Sequence, residues 1–288
     1  MHPLSNSSSR GPLVTEPRLQ RSRADLRLQV GCREGASRLT GLRQQGCLKL
    51  LFPRRPPAAP LEAVLVNISG GIAAGDRLSC SITCGTGTQV LVTSQAAERC
   101  YRARHADDAA RVDTDLQLEQ GARLEWLPQE TILFDGAALS RRLRVCMHPT
   151  ATLLLAESRV LGRRGSGETT RRLTLDDRIE IERDGRPILV DALRLHGDAD
   201  ERLRHAATGS GATAMATVVL VAPDAAARLE AARALLEAAP DIEAGASAWD
   251  GMLVIRSLAR EAAPQMACLL HVLTLLRDGR APPQVWRT

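Results

Sequence analysis

Carboxylates held in glycine-rich turns are the groups in this chain best placed to react or bind. Gly70-Gly71-Ile72-Ala73-Ala74-Gly75-Asp76 lies between two strand signals. Paired glycines permit positive φ and close backbone approach, and an aspartate at such a turn accepts from nearby N–H groups. The six histidines (His2, His105, His148, His196, His205 and His271) are dispersed, and no two have the His-x-x-x-His spacing that places both imidazoles on one metal. Cys80 and Cys84 are four residues apart on a strand signal, which separates them by about 13 Å and makes them core groups on one face. Cys100 to His105 brings a thiol and an imidazole close in sequence, and these read as unrelated neighbours. There is no phosphate-cradling loop, dinucleotide fingerprint or nucleophile elbow. For Asp76 the residues alone read first as an Asx-type turn, with a functional carboxylate as the alternative.

These groups have to be positioned by strands. From Ala63 to about residue 195 the apolar period is two: Leu78, Cys80, Ile82 and Cys84 alternate with small polar residues, as do Val112, Thr114, Leu116 and Leu118, and Leu143, Val145 and Met147. Three strand-turn-strand units resemble one another, with Gly87, Gly121 and Thr150 at equivalent places, 34 and then 29 residues apart. Such recurrence predicts stacked β layers, each lending an apolar face to the next. The alternative is an antiparallel sandwich with similar turns. Asp184-Gly185 predicts a tight hairpin between 178–182 and 187–192. Helices are expected near 224–238, with Asp224 as N-cap, and near 262–277, with Pro264 at the start and Gly279 after the end. The predicted class is mainly β, a layered β-helix-like or solenoid arrangement with two α-helices in the C-terminal third. Residues 1–20 read as a loose leader and 21–288 as a single domain. The segment 53–60, rich in proline, reads as an exposed connector.

Of the 288 residues, 44% are apolar and 25% charged, which excludes a disordered or membrane-spanning chain. Only six residues are aromatic (Phe52, Tyr101, Trp126, Phe134, Trp249 and Trp286), too few for a base-stacking nucleic-acid platform. The net charge is +5, carried almost wholly by arginine, since Lys49 is the sole lysine. The Arg-Arg pairs, Arg141-Arg142 and Arg171-Arg172 among them, read as solvated strand ends and turns, and mild basicity suits an acidic protein partner. Seven cysteines without a disulfide framework, and no apolar span, suggest a reduced cytoplasmic protein.

Several segments resemble the urease accessory protein UreD family, called UreH in some bacteria. Asn67 to Asp76 looks like its Gly-Gly-x-x-x-Gly-Asp segment, and Val92 to Arg102 is similar to its Thr-Thr-Gln-Ala-Ala-x-Lys-x-Tyr-Arg stretch. Leu124-Glu125-Trp126-Leu127-Pro128-Gln129-Glu130-Thr131-Ile132 resembles its most distinctive run. Glu157 to Arg163, Gly167-Glu168, Gly245-Ala246-Ser247 and Pro283-Gln284-Val285-Trp286 follow in the family's order. Arg99 stands where the family has lysine and Ser94 where it has a second threonine.

The resemblance implies a urease maturation chaperone, not an enzyme. Such a protein binds urease apoprotein and UreF, reaches the GTPase UreG through UreF, and helps pass nickel to the urease active site. The fold it implies is layered β with two helices. Nickel would be held weakly and transiently, because a tight closed site would trap it; carboxylates suit that better than thiolates. By motif position Asp76 and Glu157 are the first candidates to line a passage, followed by Glu98, Glu130 and Glu168. Arg99, Tyr101 and Arg102, and the C-terminal Trp286, are candidates for partner contacts. Two other readings stand beside this one: a β-solenoid enzyme using Asp76 and Glu157 as a glycosidase-like acid and base, and a passive interaction module without a metal role. Neither nucleic acid nor membrane insertion is expected.

Overall fold

The computed structural model describes residues 20–56, 59–104 and 108–287. The expected leader, except Gln20, and His105 lie outside the described residues. In chain order the strands are β1 (Arg23–Arg33), β2 (Ala36–Gly46), β3 (Leu48–Leu51), β4 (Leu61–Asn67), β5 (Arg77–Cys84), β6 (Gln89–Ser94), β7 (Glu98–Cys100), β8 (Ala110–Leu118) and β9 (Arg123–Leu127). They continue with β10 (Thr131–Leu133), β11 (Ala138–Met147), β12 (Thr152–Leu161), β13 (Leu173–Arg183), β14 (Arg186–Gly197), β15 (Ala214–Val221), β16 (Ile242–Trp249) and β17 (Met252–Ala259).

They form two sheets. One runs β14-β13-β11-β8-β5-β1-β2; the other runs β16-β17-β15-β12-β9-β6-β4-β3, with β10 pairing β12 and β7. From β4 to β13 the chain passes repeatedly between them, so that β4, β6, β9 and β12 pair in parallel in one sheet. In the other, β5, β8, β11 and β13 do the same. The repeat read in the sequence is the pairing register. Gln89 pairs with Arg123 and Arg123 with Thr152, which reproduces the offsets of 34 and 29 residues. The turns stack likewise, with Gly87 N–H donating to Gln120 O at 2.9 Å and Gly121 N–H to Thr150 Oγ1 at 3.0 Å.

The mainly β class holds, but neither sheet closes and the solenoid expectation is not confirmed. Antiparallel strands end both, β2 and β14 on one, β3 and β16 on the other. The parallel stack is therefore confined to the middle of each sheet, with hairpins flanking it. The Asp184-Gly185 hairpin forms as expected, with both residues at positive φ (55° and 70°). Glu34-Gly35 makes a similar hairpin between β1 and β2 (φ 53° and 73°), which the sequence reading missed.

One core fills the space between the sheets, with Leu26, Leu28, Ile82, Leu116, Leu153 and Leu175 almost wholly buried. A second covers the outer face of the larger sheet, where Leu91, Leu127, Leu154, Val218 and Ile255 meet the helices. Each leucine buried this way contributes roughly 2 kcal/mol. Three α-helices occur among the described residues, not two: α1 (Ala199–Arg204), α2 (Leu229–Glu237) and α3 (Ala262–Leu276). The missed α1 has six residues, capped by Asp198 accepting from Glu201 N–H, and is too short to show a helical period. The expected helix at 224–238 begins instead as a 3-10 turn over Ala225–Arg228. Asp224 does not cap it; its carboxylate takes Arg228. No helix of the described residues is long and apolar enough to cross a membrane.

Candidate functional site

A cavity of about 340 Å3 opens between the sheets where the apolar core gives way to charge. Parallel register builds its wall. Leu78, Val112, Arg141 and Asp177 are neighbours across β5, β8, β11 and β13, and Cys80, Thr114 and Leu143 form the next row. The facing sheet supplies Trp126 and Glu157, and the loops about Gly70, Gln95 to Ala97 and Gln129 frame the opening. Leu78 and Val112 are apolar, whereas Arg141 and Asp177 at the same level are ionic, so the stack changes character within four strands.

Glu157 lies in this wall, 3% exposed, but its carboxylate is occupied. Trp126 Nε1 donates to Oε1 at 2.9 Å and Arg141 Nη1 reaches Oε2 at 2.7 Å. Arg141 also grips Asp177 with Nε at 3.0 Å and Nη2 at 2.6 Å. Arg159, from the Glu157 strand, completes the group at the same Asp177 carboxylate. Two arginines and two acids thus form a neutral buried cluster that joins β12 of one sheet to β11 and β13 of the other. Burial alone would push the Asp177 carboxyl up; Arg141 and Arg159 outweigh it and hold the group far below the usual range. Burial would likewise lower Arg141, yet Asp177 and Glu157 hold its pKa above the ordinary value. The expectation that Arg141-Arg142 is a solvated pair is therefore corrected: Arg142 faces out, while the Arg141 side chain is 13% exposed.

Glu98 also lines the cavity, and no cation opposes it among the described residues. Asn67 Nδ2 donates to Oε2 at 3.1 Å and Arg99 N–H to Oε1 at 3.2 Å. Burial raises its pKa, and the Asp76 charge adds to that, against the lowering by those two hydrogen bonds. Asp76 itself, 2% exposed, is a turn organiser: Oδ1 accepts from Ser22 N–H at 2.7 Å and Oδ2 from Ala73 N–H at 2.8 Å. It ties the start of β1 to the glycine-rich turn and does not line the cavity. Gly71 in that turn is obligatory, because at φ +148° a Cβ would lie 2.5 Å from the Tyr101 ring and 2.7 Å from Arg99 O.

The other candidates are placed elsewhere. Glu130 O accepts from Glu98 N–H, and the buried Glu130 Oε2 has no hydrogen-bond partner among the described residues. Glu168 clips Arg163 at the surface, away from the cavity. Arg99 is exposed at the cavity mouth; Tyr101 OH donates to Gly70 O at 2.7 Å. Arg102 is held by Asp135. Trp286 packs against the outer core, its Nε1 donating to Thr93 Oγ1 at 2.8 Å. Sequence reasoning missed Arg141, Arg159, Asp177 and Asp135.

Among the described residues the cavity offers one carboxylate without a counter-ion, a second neutralised by arginine, and a thiol that stays protonated. Burial, helped by the Asp115 charge, pushes Cys80 up to about 12, so it does not present a thiolate to a soft metal at neutral pH. No group of three or more His, Cys, Asp or Glu side chains with metal-holding geometry occurs among the described residues.

The chain also has known relatives. The model of the UreD urease accessory protein family matches residues 22–287. The chain is 43% identical over 277 residues to urease accessory protein UreD 2 of Methylorubrum populi, covering 94% of this chain and 92% of that protein. It is 44% identical over 272 residues to urease accessory protein UreD of Xanthobacter autotrophicus, covering 93% and 91%. A third relative, urease accessory protein UreD of Cereibacter sphaeroides, is 42% identical over 276 residues, with 95% and 98% covered.

Proposed function

Since the chain belongs to the UreD urease accessory protein family, we propose that it is a non-catalytic chaperone of urease maturation that docks with urease apoprotein and UreF, works with UreG through UreF, and hands nickel onward along the inter-sheet cavity in the cytoplasm. The observation that carries the cargo role is Glu98, a carboxylate in a cavity wall with no cation against it among the described residues. An oxygen ligand of this kind attracts a divalent cation. A single one, with water completing the shell, releases it again, which transfer requires. The protonated Cys80 thiol supports the same reading, because thiolate would hold nickel too firmly. Glu157 serves as frame more than as ligand, its charge being taken by Arg141.

The test is urease activation in cells that carry this chain as Glu98→Gln. The complex with urease subunits and UreF should still be recovered by pull-down, while nickel per urease active site falls several-fold. Full nickel loading with the variant would remove the cavity role. A wild-type chain that recovers neither urease subunits nor UreF would remove the docking role.

A further inference from the structure

Beside the cavity mouth, Asp135 organises a group of arginines that the nickel reading does not use. Asp135 is 8% exposed and follows β10 in the loop to β11. Its Oδ1 accepts from the backbone N–H groups of Arg171 (2.9 Å) and Arg172 (2.8 Å); its Oδ2 accepts from Arg102 Nη2 (3.0 Å) and Arg172 Nη2 (3.2 Å). Burial opposes its ionisation, but these donors outweigh that and hold the carboxyl below its ordinary pKa. One carboxylate therefore fixes two guanidiniums whose side chains remain 60% and 69% exposed. The Arg102 stem lies against Gly136, where a Cβ would come within 2.7 Å of it. A third cation, Arg171, is exposed next to them and makes no side-chain hydrogen bond or ion pair among the described residues. Phe134 carries Arg163 over its face, 4.4 Å from the ring centroid, and meets Tyr101 edge-on at 5.3 Å.

Exposed arginine pairs usually spread and move, and ordering their side chains on binding costs entropy. Here a buried anchor has removed much of that cost in advance. Asp135 supplies one negative charge to Arg102, Arg171 and Arg172, and the neighbouring Glu168, which accepts from the Asp135 N–H, is paired with Arg163, so the patch keeps a positive excess. Planar guanidiniums presented side by side match the two oxygens of a carboxylate in forked geometry. The patch is on an open surface, which suits extended acidic chain better than an enclosed phosphate.

We infer that Arg102, Arg171 and Arg172, set by Asp135, form a docking clamp for an acidic protein segment bearing adjacent carboxylates, next to the cavity opening. The clamp residues do not themselves line the cavity; the link to its lining runs through Tyr101, next to Arg102 in the chain, which bonds to Gly70. The inference rests on the reading that the chain docks with other proteins; its test uses the chain alone, so failure here leaves the assembly and nickel reading standing.

The experiment is fluorescence anisotropy of a labelled octaglutamate peptide with the full chain at low salt. Arg102→Gln combined with Arg172→Gln should weaken binding at least about tenfold, the size expected for losing two charge-assisted contacts. Arg38→Gln with Arg186→Gln, which removes two exposed arginines elsewhere, should leave it unchanged. If the first variant melts far below the wild type, Arg171→Gln takes its place and should weaken binding about threefold. Equal loss in the control pair would overturn the clamp, as would no loss in either clamp variant. So would a phosphoserine peptide of equal charge that binds the wild type about tenfold tighter than octaglutamate.

Discussion

Replacing Arg141 with methionine should separate the two sheets energetically more than any single apolar deletion. The substitution keeps length and removes charge. It leaves Glu157 with only the Trp126 indole N–H and Asp177 with only Arg159 among the described residues. The cluster passes from two cations and two anions to an excess negative charge, with both acids at or below 4% exposure. Breaking a buried pair in this way costs roughly 3–5 kcal/mol, against a total stability of about 5–15 kcal/mol for a domain. Adding Glu157→Gln restores neutrality: the amide oxygen still accepts from Trp126, and Arg159 still answers Asp177. The double variant should therefore recover at least about 1.5 kcal/mol of the combined single losses, the coupling expected of residues in one network. Urea unfolding followed by tryptophan fluorescence measures all four corners of the cycle. A loss below about 1 kcal/mol for Arg141→Met, or losses that simply add, would show that water or relaxation already compensates the cluster.

Two further outcomes are expected. Glu98 has a folded-state pKa raised above its unfolded value, so the folded chain binds the proton more tightly. Its presence then lowers stability progressively as pH rises from the unfolded pKa through the folded one. Glu98→Gln should accordingly raise the melting temperature at pH 7 and leave it nearly unchanged near pH 4; a variant that melts lower at pH 7 would sink this assignment. Gly71→Ala combines a strained φ with overlap against Tyr101 and Arg99 O, and should cost about 2 kcal/mol or more by urea unfolding; a cost under about 0.5 kcal/mol would mean that the turn has freedom the structure does not show.

The layering was readable because it is local. Period-two runs, turn glycines and the spacings of 34 and 29 residues all lie along the chain, and parallel stacking converts equal spacing into equal height. The sheet ends were not readable in the same way. Whether β2 and β14 close the fold or terminate it depends on hairpins such as Glu34-Gly35, whose signal is two residues long. Glu98 and Glu157 were legible as candidates, and the cavity does bring both into its wall. That Asp76 serves the backbone was also within reach, since a turn aspartate commonly bonds nearby N–H groups. The role of Asp135 was hidden, because its four donors come from residues more than 30 positions away along the chain.

The buried cluster was written in the sequence by parity, although pairs of charges disguised it. In β11, Arg141 falls in step with the inward Leu143 and Val145, while Arg142 falls in step with outward residues. In β13, Asp177 occupies the inward series of Leu175, Ile179 and Ile181. In β12, Glu157 and Arg159 continue the series of Leu153 and Leu155. A charge at one inward position would be a liability; two of each sign on three strands demand each other, because no unpaired one can be buried at tolerable cost. That demand explains the cavity. Side chains committed to Arg141 cannot also fill the space in front of Leu78 and Val112, so the layers that exchange leucine for ions keep a gap between the sheets. Glu98 stands at that gap with only the Asn67 amide and the Arg99 N–H against it among the described residues, which is why the proposed cargo role rests on it.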